Sequence, residues 1–240
     1  MSLLEAQQRL QQVTGRLDAA CAAAGRQRAD VLLIAVSKTH SPAAIKELIE
    51  VGLDNFGENR VQELQQKYSE VDGIHWHLIG QLQQNKARQA VAMASLIHGV
   101  DRRSLADRLS HEAVKQQVNC RALIQVNVDE DPRKAGCRMS EAHDLVAYAT
   151  TLPNLTIEGL MTIPAAPPID TDPNMAARPT FAALRQMRDT LVNDFPNVTH
   201  LSMGMSSDIE AAIAESATMV RVGTALFGVR GAQPWQKERP

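Results

Sequence analysis

The sequence predicts a single parallel (β/α)8 barrel with one extra helix at its N-terminus. Three observations carry that prediction. Short apolar runs alternate with helical segments about eight times, and strict βα alternation marks a parallel sheet. The length, 240 residues, is close to the roughly 250 that such a barrel uses. No linker divides the chain, so one domain is expected over 1–230 with a polar tail at 231–240. The alternation also suits an open, doubly wound sheet, because periodicity does not reveal closure.

The extra helix is predicted over 3–24, where Leu3, Leu10, Val13, Leu17 and Ala24 recur at spacings of three, four and seven, with Gly25 to close the end. The apolar run 31–36 is short and branched, as in a strand buried on both faces. Ser41-Pro42 then starts a helix with proline just inside the cap. A short strand ends at Asn55-Phe56, and a helix follows over 61–68. Strands are expected at 74–79, 96–100 and 122–128, followed by helices over 85–94, 104–115 and 140–150. Strand 155–160 leads into a Pro-rich stretch, 164–173, that reads as a long loop, and a helix begins at about Met175 and runs to Val192. Strand 200–202, helix 207–214 and strand 218–222 complete the set.

Composition removes several classes of function. The 25 Lys+Arg against 27 Asp+Glu give a net charge of −2, so no positive field exists to hold nucleic acid or an anionic membrane. Aromatic residues are 3%, too few for the stacking surface of a single-strand binder. Three widely spaced cysteines suggest neither a disulfide framework nor a metal site. Charge appears too early for a signal peptide, and no apolar run approaches the ~20 residues of a membrane span. The expected setting is the reducing cytoplasm.

Ligands of a parallel barrel bind at the C-terminal ends of its strands. Two features there stand out. Lys38 follows a six-residue apolar run by two positions, and a lysine at the barrel mouth can form a Schiff base with an aldehyde; a rim lysine in a salt bridge is the plainer alternative. After the last two strands, Gly204 and Gly223 allow close backbone approach while Ser206, Ser207 and Thr224 supply hydroxyls. This is the usual barrel position for a phosphate, although Ser-Ser-Asp is also an ordinary helix cap. His75 and His77 share a strand face, but no third residue has metal-ligand spacing, so no metal is expected. Glu58 reads as a helix cap. Lysine and phosphate cradle together suit pyridoxal 5′-phosphate (PLP), and equally a sugar phosphate in a Schiff-base aldolase. Arg221, at the end of the eighth strand, favours the first, since a fixed cation there could face the nitrogen of a pyridine ring.

Six motifs then carry a resemblance. They are Ala35–Thr39, Phe56–Asn59 with Val61-Gln62-Glu63, His77–Lys86, Gly159-Leu160-Met161, Leu201–Ser206 and Val220–Gly228. In this order they resemble the YggS/PROSC family of pyridoxal phosphate homeostasis proteins, over nearly the whole chain. The resemblance implies the barrel of the alanine racemase N-terminal domain and PLP joined covalently to Lys38. It implies Ser206, Gly223 and Thr224 at the phosphate, Arg221 at the ring nitrogen, Asn59 near the ring and His77 near the pocket wall. It also implies a role in PLP and vitamin B6 homeostasis with little or no turnover, PLP-dependent apoenzymes as partners, and a monomer. Arg60 departs from the tyrosine that many relatives carry. The alternative is a weak PLP-dependent amino-acid racemase. That reaction needs a base on each face of the substrate α-carbon. The chain shows no room for a second domain to supply one, and Tyr68 and Tyr148 fall on predicted helices away from the mouth.

Overall fold

The computed structural model describes residues 1–228; the tail expected at 231–240 lies outside the described residues. Eight parallel strands form a closed barrel in chain order. They are β1 (Leu32–Val36), β2 (Asn55–Glu58), β3 (His75–Leu78), β4 (Leu96–Val100), β5 (Cys120–Gln125), β6 (Leu155–Met161), β7 (His200–Ser202) and β8 (Met219–Val222). Closure is made by β1 pairing with β8, in the register Ile34 to Arg221 and Ala35 to Val222. That contact decides between the barrel and the open sheet.

Nine helices are described: α1 (Leu3–Ala23), α2 (Pro42–Glu50), α3 (Val61–Tyr68), α4 (Ala87–Met93), α5 (Arg103–Gln116), α6 (Met139–Ala149), α7 (Pro173–Asp194), α8 (Ile209–Ala214) and α9 (Thr224–Phe227). Strands are apolar on both faces because each face meets a different core. Leu33, Ala35, Trp76 and Leu78 pack outward against the helices. Ile34, Leu96, Leu123, Met161 and Met219 form a smaller cluster inside the barrel. Period-2 alternation along each strand delivers neighbouring residues to the two cores.

The extra helix α1 begins with a capping box between Ser2 and Glu5. Its buried stripe, Ala6, Val13, Leu17 and Cys21, seats it on the barrel. From the flank of that stripe Arg16 reaches both carboxylate oxygens of Glu210 and the carbonyl of Ser206. The N-terminal helix therefore braces the β7–α8 loop.

Two expectations need correction. The helix expected from about Met175 starts two residues earlier, after Asp172, whose side chain accepts from the Asn174 and Met175 amides. Pro173 occupies the first helical position, where no amide is needed. Pro179 is tolerated inside α7, and Met175, whose carbonyl loses its bond, is exposed. The fifth strand was expected to reach 128 but ends at Gln125. Asn127 bonds the Asp131 carbonyl and amide and so folds the chain into a turn.

Candidate functional site

The C-terminal ends of the strands enclose a pocket of about 640 Å³. Six of the seven residues that the resemblance implies at the cofactor line it: Lys38, Asn59, Ser206, Arg221, Gly223 and Thr224. Lys38 is half-buried at the mouth.

The Lys38 turn is held by a buried ion pair. Glu58 and Lys67 are both fully buried, with Lys67 Nζ 2.6 Å from Glu58 Oε1. Lys67 also donates to the Ser37 carbonyl at 2.8 Å, and Ser37 Oγ donates to Glu58 at 2.7 Å. On the other side of Lys38, the Thr39 amide donates to Glu63 at 2.9 Å. Thr39 has φ of 69°, a left-handed conformation that a β-branched residue rarely adopts. The bonds at Ser37 and Thr39 maintain it. Burial pushes the Glu58 carboxyl above its usual range, and Lys67 pulls it back. Glu58 is therefore the buried partner of Lys67 behind the Lys38 turn, not the helix cap expected from its position.

Across the pocket, Gly204 has φ of +94°, and an added Cβ would stand 2.5 Å from Ala212 Cβ. Gly223 is different. A Cβ there would meet Val36 only at ordinary contact distance, so the protein itself leaves room. The missing side chain keeps the pocket open in front of α9. The first amides of a helix have no partner within it, and those of α9 begin at Thr224. Asp208 accepts from the Met205 amide and so shapes the same loop.

Arg221 is buried at the pocket floor and donates to Ser202 Oγ at 2.6 Å and the Thr162 carbonyl at 2.9 Å. Burial lowers its guanidinium to about 10, opposed by Asp208, so it stays charged at neutral pH. A guanidinium carries five N–H groups, and the two bonds named leave others for the pocket.

His77 is not at the pocket wall. It lies beneath, inside the barrel, bonded to Asn55 and His98. Its place two residues before Ile79 puts it one inward position below that residue, which does line the pocket. Among the described residues no His, Cys, Asp and Glu side chains gather as a metal site.

Sequence reasoning missed Gln125. It lines the pocket, is 5% exposed, and gives its amide nitrogen to the Ala135 carbonyl. Its Oε1 is buried with no partner among the described residues. A polar residue ending the run Leu123-Ile124-Gln125 was the available signal.

Gly80 sets how closely the loops stack. A Cβ there would lie 2.2 Å from the Asn59 carbonyl oxygen, a backbone atom that cannot rotate away. Gly80→Ala is expected to destabilise the protein by about 1–3 kcal/mol through overpacking, read as a lower urea midpoint; an unchanged midpoint would contradict this.

Residues 9–231 match the family described as "Alanine racemase, N-terminal domain". A pyridoxal phosphate homeostasis protein of Aquifex aeolicus is 42% identical over 231 residues, 95% of this chain and 99% of the relative. The chain belongs to the pyridoxal phosphate homeostasis protein family. Among solved members, PipY of Synechococcus elongatus with PLP bound superposes with a TM-score of 0.79 at 37% identity, covering 93% of this chain and all of PipY. An alanine racemase of Clostridium difficile shares the fold at 14% identity and a TM-score of 0.72, covering 82% of this chain and 52% of the racemase. No helix among the described residues is long and apolar enough to cross a membrane.

Proposed function

We propose that this protein binds PLP as a Schiff base on Lys38 and serves intracellular PLP and vitamin B6 homeostasis, with little or no turnover of its own. The observation that carries this reading is the convergence of Lys38, the Gly223–Thr224 cradle and the Arg221 guanidinium on one pocket. The residues present suit the cofactor. Gly223 leaves the space a phosphate needs, the α9 amides favour an anion, and the orphaned Gln125 Oε1 offers an acceptor. Bound there, the cofactor supplies an aldehyde and an electron-withdrawing ring. Lys38, at the mouth, would present its amine to that aldehyde. Arg221 would meet the ring nitrogen as a donor and, because it keeps its proton, would hold that nitrogen unprotonated. Asn59, on the pocket wall, would stand beside the ring.

The reading takes the protein as a monomer. The three cysteines are free and buried, in keeping with a reducing cytoplasm. PLP-dependent apoenzymes are the receivers this reading implies. Racemisation is not favoured: Tyr148 is bonded to Asp107 on an outer helix, Tyr68 ends α3, and neither lines the pocket.

The test is spectroscopic. Purified protein with PLP should show a visible band that borohydride abolishes, leaving the reduced cofactor's mass on the peptide containing Lys38. Lys38→Ala should show neither. A protein that stays colourless with added PLP, or label fixed at another lysine, would overturn the reading.

A further inference from the structure

Five strands place polar side chains in one continuous line through the barrel interior. Arg221 Nη1 donates to Ser202 Oγ at 2.6 Å. Ser202 Oγ lies 2.8 Å from His98 Nδ1, His98 Nε2 lies 3.0 Å from His77 Nδ1, and His77 Nε2 lies 2.8 Å from Asn55 Oδ1. Asn55 Nδ2 donates to Asp54 at 2.7 Å. The line begins at the pocket floor and ends at an exposed carboxylate. Between those ends every member is at least nine-tenths buried.

The two ends fix the direction of every bond. A guanidinium only donates and a carboxylate only accepts. A neutral imidazole has one donor and one acceptor. Burial and neighbouring cations keep both rings neutral, His77 at about 3 and His98 well below the usual histidine value. Asn55 turns its nitrogen to Asp54, so its oxygen must accept from His77 Nε2. His77 Nδ1 then accepts from His98 Nε2, and His98 Nδ1 accepts the Ser202 hydroxyl proton. Ser202 Oγ is left to accept from Arg221. The reverse direction would turn the Asn55 oxygen toward the Asp54 carboxylate and leave the Ser202 proton to find another acceptor.

We propose that Ser202, His98 and His77 are positioning residues for Arg221, joined to it by a one-way hydrogen-bond chain in which both histidines are the Nε2–H tautomer. The chain holds the guanidinium in one orientation at the pocket floor, so that its remaining donors face a ligand acceptor at a set place. The consequence for the ligand rests on the PLP reading, because that reading puts the ring nitrogen opposite Arg221. The tautomers do not depend on it.

Two measurements separate those parts. Nitrogen-15 NMR of the cofactor-free protein at neutral pH reads the tautomers. The two buried rings are recognised by imidazole protons protected from exchange. Both should show a protonated Nε2 and a bare Nδ1; an Nδ1–H tautomer or an imidazolium at either ring overturns the chain. PLP titration of Ser202→Ala and Ser202→Thr reads the positioning. Ser202→Ala should bind PLP at least tenfold more weakly and shift its absorption band, and Ser202→Thr, which keeps the hydroxyl, should restore both. Ser202→Cys, similar in shape but a weak donor and acceptor, gives the same comparison if the alanine variant does not fold. Wild-type affinity and band in Ser202→Ala, or in Ser202→Cys where that stands in, would overturn the positioning role. Failure of the wild type to take up PLP would instead overturn the functional reading and leave the tautomers standing.

Discussion

Lys67→Met is expected to destabilise the protein by about 3–5 kcal/mol at neutral pH, the cost of leaving one member of a buried ion pair alone. Glu58 is fully buried, and among the described residues only Lys67 and Ser37 compensate it. Its second oxygen already has no partner among the described residues. Without Lys67, the carboxylate must stay charged in an apolar setting or take up a proton. The second route becomes cheaper as pH falls, so the defect should be smaller at pH 5 than at pH 8. Adding Glu58→Gln should recover part of the loss, because a neutral amide replaces the stranded charge. The defect should also reach the pocket, since Lys67 holds the Ser37 carbonyl next to Lys38. Urea unfolding of the two variants at both pH values, with PLP uptake, checks this. A cost below about 1 kcal/mol would mean that the pair is not a bracket for the lysine turn.

Stability should fall by about 1–3 kcal/mol between pH 6 and pH 5, before most carboxylates titrate. His77 and His98 are held below the ordinary value of 6.5 in the folded protein. The unfolded chain binds their protons as pH drops through 6.5, and the folded protein does not. Their contribution is therefore present above pH 6.5 and is lost progressively on acidification, for His77 down to about 3. Two protons give a slope of at most about 2.7 kcal/mol per pH unit. His77 is influenced by His75, Arg121 and Asp54, and His98 by Arg221 and His200. His200 is itself lowered by burial and acts in the same direction. Glu58, raised by burial, acts in the opposite direction and removes at most one proton from the slope. Urea unfolding at half-unit steps measures this. Stability that is flat or rising as pH falls from 6.5 to 5 would contradict neutral histidines in the barrel.

Much of the site was legible because barrel geometry turns strand order into position. Lys38 after the first apolar run, and Ser206, Gly223 and Thr224 after the last two, fall at the mouth once the strands are known to be parallel. Gln125 was hidden by its apolar neighbours. His77 was misplaced because a strand position reveals which face a side chain takes but not its depth in the barrel. Glu58 looked like a cap because its partner, Lys67, lies nine residues away on a helix whose packing the sequence does not state.

The sequence by itself determined the alternation, the number of strands and the residues at their ends. Those are consequences of periods of 2 and 3.6, which act over a few residues. Only the tertiary structure decided closure, through the pairing of β1 with β8. It alone brought His98 to Ser202 across 104 residues and set Arg221 above them. The reason is physical: long-range pairing and interior depth depend on how strands tilt and stagger around the whole barrel. No local pattern of apolar and polar residues records that stagger.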